Sequence, residues 1–133
     1  MRRLFLLALL ISLYGCVTTP VPPPVAKTLQ GEVHLDGVLP RPAIVEVAVM
    51  SVVGGRALQV AATRYEVTML PLTFAMRLTP LQWGIGELYV RTRLRFVGNA
   101  AVQASAQQKV FKVLNGSPMT ISLQPRACYS QCQ

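Results

Sequence analysis

Leu88-Tyr89-Val90-Arg91-Thr92-Arg93-Leu94-Arg95-Phe96-Val97 is the stretch that decides the fold. Leu88, Val90, Thr92, Leu94 and Phe96 recur at a period of two, and Tyr89, Arg91, Arg93, Arg95 and Val97 fill the positions between them. A helix would scatter these two sets around its barrel, whereas a strand sends them to opposite faces. The segment therefore reads as a half-buried strand. Its polar face carries Arg91, Arg93 and Arg95 as a linear cationic stripe, the side chains roughly 7 Å apart.

The same alternation extends in both directions. Leu72, Phe74, Met76 and Leu78 alternate with Thr73, Ala75, Arg77 and Thr79, and Met119, Ile121 and Leu123 alternate with Thr120, Ser122 and Gln124. Further strands are expected at Gln30 to Leu35, Ile44 to Val53, Leu58 to Glu66, Val102 to Ala106 and Lys109 to Leu114. Turn signals separate them at Asp36-Gly37, Gly54-Gly55, Gly84-Ile85-Gly86, Gly98-Asn99 and Asn115-Gly116. Only Pro80-Leu81-Gln82-Trp83 suits a short helical turn, with proline at a first helical position. Seven or eight short strands at this spacing predict an all-β chain, an antiparallel sandwich or a small barrel. The strand from Ile44 to Val53 is apolar on both faces, Val45, Val47 and Val49 opposing Ile44, Ala48 and Met50. It is expected to lie centrally and to be covered on both sides, or else to be covered in part by a partner.

The first residues specify an address. Met1-Arg2-Arg3 precedes an apolar run from Leu4 to Leu13, too short for the roughly 20 residues that a membrane-spanning helix needs. This is the layout of an export signal. Leu13-Tyr14-Gly15-Cys16 resembles a lipobox, in which Cys16 is lipidated and becomes the first residue of the mature protein, although Tyr14 is bulkier than the usual occupant. The alternative is an ordinary signal peptide followed by an incidental cysteine. The count of three cysteines favours lipidation, because a modified Cys16 leaves the even pair Cys128 and Cys132. That pair is expected either to close a small disulfide loop in an oxidising compartment or to remain as two thiols. From Val17 to Lys27 the chain is rich in proline and favours an extended tether, which would hold a domain about 30 Å from a lipid surface. The expected organisation is a signal peptide over 1–15, lipidated Cys16 with its tether over 16–28, and one β domain over 29–133. Val17, standing where an aspartate would signal inner-membrane retention, directs the expectation to the outer membrane.

Composition narrows the chemistry. Thirteen basic and five acidic residues give a net charge of +8, and loss of Arg2 and Arg3 with the signal leaves a mature chain of about +6. The arginine stripe serves either as a solvated face that discourages aggregation or as a docking surface for an acidic peptide or lipid head groups. Its repulsion calls for acidic or aromatic neighbours across the strand. Nucleic acid fits poorly, since no stacking aromatics interleave the arginines. Glu32, His34 and Asp36 share one face of a strand, where mixed surface polarity is the commoner explanation than a metal or acid/base site. No nucleophile elbow, phosphate loop, paired zinc ligands or dinucleotide fingerprint is present, so neither enzyme activity nor a cofactor is expected. The partner-binding candidates are Ile44, Ala48 and Met50 on the outward face of their strand, Trp83, and Arg91, Arg93 and Arg95.

Several segments together resemble a known family. Gln30-Gly31-Glu32-Val33, the valine-rich strand from Ile44 to Val53, and Leu70-Pro71-Leu72-Thr73-Phe74-Ala75-Met76-Arg77-Leu78 follow in the order seen in the YscW/YbaY family of small lipoproteins. Tyr89-Val90-Arg91-Thr92-Arg93 and Val113-Leu114-Asn115-Gly116 are similar to that family's closing pattern. Met50-Ser51-Val52 departs from it, because many members carry an aspartate there, and the Cys128 to Cys132 tail is not a general family feature. The resemblance is strongest to the YscW/ExsB-like pilotins of type III secretion. It implies a β-sandwich and an outer-membrane lipoprotein that binds a secretin subunit and promotes its localisation and assembly. A general envelope lipoprotein of structural or stress role, or a periplasmic inhibitor or chaperone, would share the same architecture. Oligomeric state is left open.

Overall fold

A computed structural model describes residues 27–84, 86–110 and 117–133. The expected export signal, Cys16 and the expected tether as far as Ala26, together with Ile85 and the predicted strand end and turn from 111 to 116, lie outside the described residues.

The alternation quoted first produces what it predicts. In β5 (Glu87–Phe96), Leu88, Val90, Thr92, Leu94 and Phe96 are all at most 1% exposed, while Tyr89, Arg91, Arg93 and Arg95 are half-buried on the other face. Around it run β1 (Lys27–His34), β2 (Ala43–Val53), β3 (Arg56–Val67), β4 (Leu72–Leu78), β6 (Val102–Val110), β7 (Met119–Ser122) and β8 (Gln124–Pro125), with the single turn of helix α1 (Pro80–Trp83) between β4 and β5. The strands form two sheets, ordered β4-β1-β7 and β3-β2-β5-β6-β8. They enclose a core in which Val45, Val47, Leu94 and Phe96 from the larger sheet meet Val33, Phe74, Leu78 and Ile121 from the smaller. The chain is an all-β sandwich. Burial of each large apolar side chain in this layer contributes about 1.5–3 kcal/mol.

Local chemistry sets the connections. Gly54 and Gly55, with φ of 58° and 76°, join β2 to β3 through a two-residue turn that needs two consecutive positive φ angles. Thr79 caps α1 in a reciprocal box with Gln82. The Gln82 side-chain amide then donates to the carbonyl of Val60, the residue that β3 bulges out opposite Val49 and Met50. β2 lies centrally in its sheet, between β3 and β5, with Val45, Val47 and Val49 on the core face and Ile44, Glu46 and Met50 half-buried on the other.

Four details differ from expectation. β1 begins at Lys27, so Lys27 and Thr28 belong to the sheet and not to the tether. β1 pairs with β7 in parallel, so the smaller sheet is mixed and only the larger is wholly antiparallel. The predicted strands Val102 to Ala106 and Lys109 to Leu114 are one strand as far as Val110, because the ladder to β5 continues through Gln107 and Gln108. The polar pair is tolerated there because that part of β6 lies at a sheet edge. The alternation predicted from Met119 to Gln124 is not one strand: it splits at Leu123 into β7 in the smaller sheet and β8 in the larger.

Candidate functional site

The outer face of the larger sheet can be laid out row by row from its register. Arg95 has Ile44 on one side and Val102 on the other; Arg93 has Glu46 and Ser105; Arg91 has Ala48 and Gln107; Tyr89 has Met50 and Lys109. On β3 the same rows continue as Glu66, Arg64, Ala62 and Gln59. Six of the candidate residues, Ile44, Ala48, Met50 and the three arginines, thus share this face.

The repulsion along the stripe is not relieved in the expected way. Glu46 is the one acid directly beside an arginine of the stripe, and its carboxylate is engaged by Arg64 at 3.0 Å. Further along, Glu87 accepts from Tyr89 at 3.1 Å and pairs with Lys109 at 3.1 Å. Among the described residues, Arg91, Arg93 and Arg95 make no ion pair and no side-chain hydrogen bond, and the Nε of Arg91 is buried without a partner. A buried guanidinium donor left unpaired costs about 1–3 kcal/mol, more than a solvated surface charge would. The face therefore carries three arginines whose charge no paired acid offsets among the described residues.

Two cavities run along it. One of about 510 Å³ is bounded by Arg91, Arg93, Ser105, Gln107, Gln124 and Arg126; the other, about 190 Å³, by Ile44, Glu46, Arg93, Arg95, Ala100 and Val102. Arg93 belongs to both.

Two candidates stand elsewhere or are covered. Ala48 is fully buried between Ala62 and Arg91, since a methyl group beside a side chain as long as arginine is readily screened from water. As it stands it offers no contact area. Trp83 lies on α1, half-buried against the core, with the Lys27 ammonium 3.6 Å from its ring centroid. It plugs one end of the sandwich and lines a separate cavity of about 140 Å³ with Lys27, Gly84 and Leu88. Glu32 and His34 form an exposed pair at 3.0 Å, and Asp36 lies beyond the end of β1. Among the described residues, no three His, Cys, Asp or Glu side chains gather as metal donors.

Sequence reasoning missed Arg126, which completes the larger cavity. The carboxy-terminal tail puts it there. Cys128 and Cys132 are disulfide-bonded with Cα atoms 4.9 Å apart, and Cys132 is 3% exposed. The Cys132 carbonyl accepts from Asn99 at 2.9 Å and Gln103 at 3.0 Å, while the Tyr129 ring lies 6.2 Å from Phe96. Arg126 in turn donates its amide to the Gln103 carbonyl at 2.9 Å and Nη1 to the Val102 carbonyl at 3.0 Å. Apart from the disulfide, which joins residues four apart, these contacts are distant in sequence, so no spacing pattern announces them.

The family described as type III secretion system lipoprotein chaperone, YscW, matches residues 24–124, which span every described strand but the last residue of β8. This chain belongs to the YscW family. A protein of Yersinia enterocolitica named type 3 secretion system pilotin is 37% identical over 133 residues, which is all of this chain and 96% of that protein. A pilotin of the same name from Pseudomonas aeruginosa is 38% identical over 127 residues, 96% of this chain and 90% of its own length. A solved structure, an alternative pilotin from the type II secretion system of Vibrio cholerae, superposes with a TM-score of 0.58 over 75% of this chain and 98% of that one. At 16% identity that likeness concerns the fold alone. The YscW sandwich and the Vibrio protein thus share an architecture.

Proposed function

We propose that this chain is a pilotin: an outer-membrane lipoprotein that binds a secretin subunit of a type III secretion system and promotes its localisation and assembly. The observation that carries the reading is its likeness, at 37% and 38% identity and over nearly the whole length, to two proteins that are both named type 3 secretion system pilotins. The mechanism is physical. Lipid on Cys16 supplies membrane affinity at about 0.8 kcal/mol per buried CH2, so two or more acyl chains anchor stably where one does not. The proline-rich segment spaces the sandwich from the bilayer, and the sandwich holds the cargo. The outward face bearing Ile44, Met50, Arg91, Arg93 and Arg95 is the proposed docking surface; Trp83 serves as a plug at the end of the domain.

Deleting the gene tests this. Loss of heat-resistant secretin multimers from the outer-membrane fraction, with restoration by the wild-type gene, is the expected result. Normal multimers in the deletion strain would overturn the reading.

A further inference from the structure

The larger sheet has an edge that is only partly closed. Among the described residues, β8 alone pairs along the outer side of β6, and it covers only Ala104 and Ser105. The hydrogen bond from the Arg126 amide to the Gln103 carbonyl sets the phase of that edge. With Ala104 opposite Pro125, the backbone groups of Gln103 and Ser105 face β8 and those of Ala104 face β5. The period of two then turns the N–H and C=O of Gln107 and Lys109 to the same side, past the end of β8. Such groups are a template for another strand. Both residues are exposed.

This edge borders the arginine cavity. Arg91 stands directly across from Gln107, Arg93 across from Ser105, and both line the 510 Å³ cavity with Arg126. A strand added beside β6 would lie two strand spacings from β5, about 10 Å, within the joint reach of an arginine and a glutamate side chain. Its alternate side chains, about 7 Å apart, would fall in the rows of Gln107 and Lys109, beside Arg91 and Tyr89, while Gln124 of β8 already occupies the Arg93 row at Ser105. The edge of β3 offers less, because it is broken by the bulge at Val60, whose carbonyl is already taken by Gln82.

We propose that the open edge of β6 at Gln107 and Lys109 takes an extended, acidic segment of a protein partner as an added strand, with the carboxylate of its Gln107 row on Arg91, in the cavity that Arg91 shares with Arg93. Backbone pairing supplies affinity and the charge-assisted bonds fix orientation. A lipid head-group layer carries anions but no backbone to complete the edge, so a peptide fits both features at once. The assignment rests on the pilotin reading only for which protein carries the segment.

The test uses the full chain purified in detergent and an eight-residue synthetic peptide alternating glutamate with threonine, with a lysine–threonine peptide and phosphatidylglycerol vesicles as the contrasting probes. At saturation the acidic peptide is expected to slow amide exchange at Gln107 and Lys109 at least tenfold, and the basic peptide to leave both unchanged. Gln107→Pro removes an edge donor at a position where proline is tolerated, and Arg93→Glu reverses the charge; each is expected to weaken binding at least tenfold with an unchanged circular dichroism spectrum. Unprotected amides at Gln107 and Lys109, protection along β3 instead, or protection by vesicles but not by peptide would refute the assignment. Capture of the secretin subunit that is unaltered by both substitutions refutes the site and leaves the pilotin reading standing. Protection by the acidic peptide without capture of the subunit supports the site and retires the pilotin reading.

Discussion

Gly31→Ala perturbs the contact on which the smaller sheet depends. Gly31 is buried on β1, opposite Phe74 on β4 and Met119 on the parallel strand β7. A Cβ built there would overlap the carbonyl oxygen of Met119 and lie 2.7 Å from its Cγ. The side chain can rotate away, but the carbonyl belongs to the backbone. β1 is held to β4 from Lys27 to Val33 and to β7 only from Gly31 to His34, so β7 is the strand that yields. Overpacking alone costs about 1–3 kcal/mol. Lifting β7 also exposes part of Ile121, now 1% exposed, whose full burial contributes about 1.5–3 kcal/mol. The expected loss is about 3 kcal/mol, or roughly 15 °C in Tm for a domain of this size. Urea and thermal unfolding followed by far-ultraviolet circular dichroism measure it, with the exposed Thr120→Ala on β7 as control. A loss below about 0.5 kcal/mol would refute the parallel register of β1 and β7, because no backbone clash of this kind passes unnoticed.

Three further outcomes are expected. Replacing Cys128 and Cys132 together by serine should lower stability by about 2 kcal/mol, the chain-entropy value for so short a loop, as read by urea unfolding; reduction of the wild type should reproduce the loss, and identical curves would count against the bond. Lys27→Ala should remove the cation from the Trp83 face, costing about 0.5–1 kcal/mol and changing the emission of the sole tryptophan, whereas an unchanged spectrum would contradict the stacking. Cys16→Ser should abolish incorporation of labelled fatty acid and release the chain from the membrane fraction; retention of label would show that lipid is attached elsewhere.

How much was readable in advance depended on whether the information was local. β5 could be read directly, since each of its side chains faces the side that its own period assigns. The helical turn was equally plain, because Thr79, Pro80 and Gln82 cap within a few residues. The parallel pairing of β1 with β7 joins distant segments and is decided by the missing side chain of Gly31, which no alternation reveals. The arginine stripe was legible as a stripe. Its want of partners was not, because that depends on Arg64 having claimed Glu46 from the far strand. Ala48 lies on the outward face, but that its cover comes from side chains of the neighbouring strands and not from a partner was not legible, since those strands are distant in sequence. Arg126 joined the cavity only through the tail that carries it.

The clasp formed by Cys128 and Cys132 also keeps time. It stabilises the tail whose Cys132 carbonyl receives Asn99 and Gln103 and whose Arg126 fastens β8 to the start of β6. Thiol-reducing surroundings leave such a clasp open, and oxidising ones close it. A chain whose Cys128 and Cys132 are kept reduced therefore lacks the fastening that shapes one end of the cationic cavity.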